Sequence, residues 1–167
     1  MIKRSVWGFL FCGYLALFAQ NALAVAKVGE SVPDFALTTL AGDAVKLSDY
    51  VGKKPVYIVF WATWCAACTN EIPHVKKIQE KFGDKLAILA INIGIDDSVE
   101  KAKAYQKKHE VTYSMAFDHG NKISKSFNIK ITPTQLIVGK DGKVYYRGHK
   151  APSVADVEGN WKDLTQP

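Results

Sequence analysis

Metal-holding side chains are sparse in this chain. It has three cysteines and four histidines in 167 residues. Cys65 and Cys68 form a CxxC pair, but no second CxxC exists to complete a zinc site. His74, His109, His119 and His149 stand singly, without zinc-finger spacing. Long apolar runs are also missing. The longest, Val6 to Ala19, is 14 residues, short of the roughly 20 that a spanning helix needs. No internal repeat or low-complexity segment is visible. No basic stripe with interleaved aromatics appears, which removes support for nucleic-acid binding. The formal charge of +6 falls to +4, 20 basic against 16 acidic residues, once Lys3 and Arg4 are set aside.

Those two residues belong to a leader pattern. "MIKR" is a short positive region, "VWGFLFCGYLALFA" an apolar run, and "NALA" a small-x-small cleavage site after Ala24. Residues 1–24 therefore read as a signal peptide, with an uncleaved anchor as the alternative. Cys12 is an apolar filler within it, because Phe11 is too large to precede a lipidated cysteine. The remaining chain, 25–167, suffices for one domain. Its two cysteines would then lie in an exported compartment where disulfides persist.

"DFALTTLAGDAVKLSDY" predicts a β-hairpin around Ala41-Gly42-Asp43, followed by one helical turn near Ser48 to Val51. "PVYIVFW" (55–61) and "LAILAINI" (86–93) read as buried strands. Between them, Ile72, Val75, Ile78 and Phe82 recur at three and four, an amphipathic helix from Cys65 to Phe82. Pro73 should kink it and Gly83 close it. Ser98 caps a helix to about His109 that carries Val99, Ala102, Tyr105 and Gln106 on a helical repeat. "YSMAF" is extended and "KISKSF" a short helix. "TQLIV" and "KVYYR" form a hairpin about Asp141-Gly142. A short tail helix starts at Ser153, with Asp156 completing a capping box and Gly159 limiting its length. This order implies an α/β fold: a mixed sheet with a parallel core, helices on both faces, and an N-terminal hairpin at one edge.

In such sheets, sites form beyond the carboxyl ends of the strands, where Cys65 lies. A helix N-terminus favours a thiolate, so Cys65 suits nucleophilic attack. Cys68, one turn further in and expected to be more buried, suits resolution of a mixed disulfide. A zinc half-site lacks ligands. A structural staple is weakly supported, because a four-residue loop restrains the unfolded chain little. The residues favour thiol–disulfide exchange.

"FWATWCAAC", with Pro73 five residues after Cys68, resembles a thioredoxin-superfamily active site, and "ITPTQLIVGKDGKVYYRG" resembles that family's cis-proline strand and hairpin. The stretch from Val28 through "WCAACTNEIP" is similar to the exported TlpA/ResA-type thiol–disulfide reductases, which share the extra hairpin. The resemblance implies a thioredoxin-like fold with no cofactor and no metal. It implies a Cys65–Cys68 disulfide, with Cys65 attacking and Cys68 resolving. Pro133 becomes the cis-proline facing them; it would present the Thr132 backbone to a substrate strand and deny metals the thiols. Trp64 covers the rim, whereas Trp61 suits the core equally well. The resemblance implicates Glu71, in CxxCxxE, in proton transfer. A carboxyl half buried beside two thiols is disfavoured as the anion, which suits it to exchange protons near neutrality. A solvated or lysine-paired glutamate is the plain alternative. Val59 stands where ordinary thioredoxins carry a buried acid, and Ala66-Ala67 replaces the proline many relatives have before the second cysteine.

The implied function is reduction of specific client disulfides, with electrons from a membrane dithiol donor, by a periplasmic monomer. By resemblance, the clients are apocytochrome c haem-binding cysteines or the cysteines of a copper site. One alternative is a dithiol oxidase, although the large helical insertion of DsbA-type oxidases is missing. Another is a copper chaperone, for which His119 or His149 would have to serve. A peroxidase lacks its threonine, since Ala62 stands three residues before Cys65.

Overall fold

The computed structural model describes residues 26–166, so the leader read over 1–24 lies outside the described residues. Among the described residues no helix is long and apolar enough to cross a membrane. The elements are β1 (Ala36–Thr38), β2 (Ala44–Lys46), β3 (Val56–Trp61), α1 (Ala66–Phe82), β4 (Ala87–Asn92), α2 (Val99–Lys108), β5 (Ser114–Phe117), α3 (Lys122–Ser126), β6 (Thr134–Val138), β7 (Val144–Gly148), α4 (Val154–Gly159) and α5 (Trp161–Leu164).

Five strands form one mixed sheet in the order β5-β4-β3-β6-β7. β3, β4 and β5 are mutually parallel, while β6 is antiparallel to both β3 and β7. Every residue of β3 and β6 is buried, as expected for central strands covered on both faces. Burying each such aliphatic or aromatic side chain contributes about 1.5–3 kcal/mol relative to leaving it exposed. The two faces are read from alternate residues of β3. Trp61 packs on Tyr105 of α2, with ring centroids 4.7 Å apart. Phe60 meets Phe127, at the end of α3, on the other side.

α1 buries Cys68, Ile72, Val75, Ile78 and Phe82 and runs unbroken through Pro73 to Gly83, which closes it at φ 50°. α2 starts at Ser98, whose side chain accepts the Lys101 N–H; it buries Ala102 and Tyr105 and leaves Val99 and Gln106 half-buried. The Ser153–Asp156 capping box forms at the start of α4. α4 ends at Gly159, as expected, but the chain stays helical beyond it. α5 follows, and its Trp161 stacks on Phe82 at 4.7 Å, which gives a second short helix an apolar anchor on α1. The helical turn after the hairpin is a 3-10 turn, Leu47–Asp49, one residue earlier than expected.

The N-terminal segment does more than add a hairpin. Residues 29–32 pair with 142–144 beside β7, where Gly29 N–H donates to Val144 O and Val144 N–H to Glu30 O. The chain then crosses the face, packing Phe35 against Phe127. Its hairpin reaches β5, where Leu40 N–H donates to Met115 O and Thr39 bridges Ala116. One segment thus occupies both sheet edges, which would otherwise present unpaired backbone.

Candidate active site

The parallel strands β3 and β4 end on the same side, and the loops that leave them build the site. After β3, residues 62–65 lead into α1. After β4, residues 93–98 lead into α2. Asp97 joins the two loops. Its carboxylate accepts the Thr63 N–H (2.7 Å) and Thr63 hydroxyl (2.8 Å), the Asn92 side-chain amide (2.8 Å) and the Ser98 N–H (3.0 Å). Burial acts first and opposes its ionisation, but the hydrogen bonds from Asn92, Thr63 and Ser98 prevail, and Asp97 titrates below the ordinary aspartate value. The Trp64 indole N–H donates to Ile95 O at 2.8 Å, a second tie between the loops.

Cys65 is the N-cap of α1, and its sulfur accepts the Cys68 N–H at 3.1 Å. A capping side chain normally does this with oxygen. The two sulfurs are bonded to each other. The expected difference in burial between the cysteines is absent, since each is 6 % exposed. The physical reason is the closed ring, which ties Cys65 back onto the first turn of the helix. Cover over the pair is partial, because Ala66 and Ala67 are exposed and Trp64 is 54 % exposed.

Behind the pair lies a small cavity of about 20 Å³. Cys68, Glu71, Trp61, Val59 and Pro133 are among its walls, so the structure brings these candidates together. The Thr132–Pro133 bond is cis. Trp61 is a core residue, 3 % exposed, whose indole N–H has no partner among the described residues. Val59 supplies an apolar wall where ordinary thioredoxins carry an acid. Glu71, half-buried, is the only carboxylate lining the cavity among the described residues. It accepts the Ala151 N–H at 2.5 Å rather than pairing with a lysine. Deeper, the Tyr57 hydroxyl donates to the Gln135 side-chain carbonyl. Burial first, then the neighbouring Tyr146 and Glu71, push Tyr57 far above the ordinary tyrosine value.

Outside the pair, Trp64, Ile95 (43 % exposed) and Ile131 (53 % exposed) line a groove with Ile93, Ile129, Lys130 and Thr132, enclosing about 330 Å³. Three of the five large exposed apolar side chains among the described residues meet here. The sequence names Trp64 and Thr132 as candidates and gives no signal for Ile95, Ile131, Asn92 or Asp97. Asp97 directly precedes the Ser98 cap and carries no pattern of its own. His149 enters the sequence reading only as a copper-ligand candidate. Its ring lies against the Pro133 carbonyl, and no group of three or more His, Cys, Asp or Glu able to hold a metal ion occurs among the described residues.

Comparisons with known proteins agree with this geometry. Residues 28–147 match the AhpC/TSA family. The chain is 36 % identical over 152 residues to the thioredoxin-like protein YneN of Bacillus subtilis, covering 86 % of this chain and 88 % of that protein. It is 35 % identical over 129 residues to the thiol–disulfide oxidoreductase ResA of Geobacillus kaustophilus, covering 76 % and 71 %. Among solved structures, one from Chlorobium tepidum described as a thiol:disulfide interchange protein DsbE superposes with a TM-score of 0.68 at 29 % identity, over 83 % of this chain and 95 % of that one. With a bonded CxxC pair at the head of a helix and a cis-proline on the same cavity, the chain belongs to the AhpC/TSA family, as a thioredoxin-like thiol–disulfide oxidoreductase of the ResA/DsbE type.

Proposed function

We propose that this protein is an exported, periplasmic reductant of particular client disulfides. In the dithiol form, the Cys65 thiolate attacks one sulfur of a client disulfide. A Cys65–client bond forms, and the client's other sulfur leaves as a thiolate that takes a proton. The Cys68 thiolate then attacks Cys65 Sγ, releasing the second client thiol and closing Cys65–Cys68. Two electrons pass to the client, and a membrane dithiol donor restores the pair. Glu71 exchanges the Cys68 proton, and Thr132 and Trp64 hold the client. Haem-binding cysteines of an apocytochrome c and the cysteines of a copper site are the client types the ResA likeness suggests.

One observation carries the direction. Among the described residues, the cavity under the pair is lined by a carboxylate, Glu71, and by no Lys, Arg or His. With no cation there to stabilise a thiolate, the reduced form gains little from its surroundings, and a less stabilised reduced form is a better electron donor. The decisive measurement is the reduction potential of the pair. A value near roughly −270 mV supports the reductant, and one near roughly −120 mV makes the protein an oxidant instead. A Cys68→Ala variant should trap clients as mixed disulfides, and Cys65→Ser should lose insulin reduction.

A further inference from the structure

The loop after β7, residues 149–151, touches both sides of the cavity. On one side, the Ala151 N–H holds Glu71. On the other, His149 Nδ1 lies 3.0 Å from Pro133 O and 3.3 Å from Thr134 Oγ1. Between them, the Tyr146 hydroxyl donates to Lys150 O at 2.6 Å. At Gly148, the last residue of β7, a Cβ would sit 2.4 Å from the Tyr146 hydroxyl oxygen, so a larger residue there would displace that side chain.

The surroundings decide the tautomer of His149. Pro133 O has only lone pairs. The Thr134 hydroxyl uses its proton on Ile131 O at 2.6 Å, so it too turns a lone pair toward the ring. Nδ1 therefore carries the hydrogen and donates to Pro133 O. That carbonyl belongs to the residue after Thr132, on the edge that would pair with a client strand. Two bonds, His149 to Pro133 and Thr134 to Ile131, fasten the segment 131–134 from both sides of the cis peptide. His149 itself is exposed and outside the core.

We propose that His149 is a positioning residue for client recognition. Its Nδ1–H holds the Pro133 carbonyl, and with it the Thr132 backbone, in the orientation that a client strand pairs with. This inference rests on the exchange reading above. A small disulfide makes no strand pairing, so it should not sense the bond. A protein disulfide should.

The experiment compares wild type, His149→Ala, His149→Asn and His149→Gln in the dithiol form, with insulin and with a small aromatic disulfide as oxidants. The Asn amide nitrogen falls near the Nδ1 position, whereas the Gln amide nitrogen falls near Nε2. Loss of one ordinary hydrogen bond predicts that the Ala and Gln variants reduce insulin roughly three- to tenfold more slowly. The loss should appear in KM. His149→Asn should restore the insulin rate to within about twofold of wild type, and all four should react alike with the small disulfide. Unaltered insulin reduction by His149→Ala, equal slowing on both disulfides, or an Asn variant as slow as Ala would each overturn the proposal. If Ala unfolds, the Asn–Gln comparison still decides. Wild type inert to both disulfides would overturn the exchange reading together with this one.

Discussion

Replacing Asp97 with alanine should loosen the loop that presents Trp64 and Cys65. Four donors lose their acceptor: Thr63 N–H and hydroxyl, the Asn92 amide and Ser98 N–H. Three of them can turn to water, because Asp97, Thr63 and Ser98 are half-exposed. Asn92 is fully buried, and a buried donor left unpaired costs about 1–3 kcal/mol. Adding about 0.5 kcal/mol for each solvent-reachable donor gives a loss of about 2.5–4.5 kcal/mol. For a domain of this size that lowers Tm by roughly 5–15 °C. Asparagine is not a conservative replacement. Each carboxylate oxygen accepts two donors, so an amide nitrogen must face two of them whichever way it turns. The effect has a pH signature. Asp97 titrates below its ordinary value in the fold. Its contribution is therefore complete above the unfolded value of about 3.9 and is lost as pH falls through the folded one. Thermal unfolding by circular dichroism at about pH 7 and about pH 2 tests both parts. A Tm within about 1 °C of wild type at neutral pH, or a gap that persists unchanged in acid, would refute the reasoning.

Gly94 sits at φ +66° with its Cβ direction 2.5 Å from Asp118 O. Gly94→Ala should cost about 2–4 kcal/mol in urea unfolding, from strain plus the clash, and an unchanged midpoint would contradict that contact. Tyr57→Phe strands the buried Gln135 carbonyl and should destabilise by about 1–3 kcal/mol; a neutral effect would mean that Gln135 finds another donor. Glu71→Gln keeps an acceptor for Ala151 N–H but removes the charge. It should shift the thiol titration and slow exchange, and identical pH–rate profiles for variant and wild type would rule out a proton-transfer role.

Local patterns were legible wherever one side chain's environment follows from its neighbours in sequence. β3 reads as buried because six consecutive residues are apolar or aromatic. α1 reads as amphipathic because its apolar side chains repeat with the helical turn, and the caps at Ser98, Ser153 and Gly83 are short-range hydrogen-bond devices. The equal burial of Cys65 and Cys68 was not legible, because it depends on ring closure and on the packing around the first turn. Nor was the double-edged N-terminal segment, whose pairing with β7 leaves no periodic mark.

The redox chemistry is legible in the sequence alone, from two cysteines one helical turn apart at the head of a helix. Tertiary structure decided what meets them. Glu71 finds Ala151 80 residues away, Thr63 finds Asp97 34 residues away, and His149 finds Pro133 16 residues away. Amphipathic periodicity tells a helix which side faces inward, because burial needs only a face. A hydrogen bond needs a donor and acceptor within about 3 Å and in line, and that depends on the path of every loop between them.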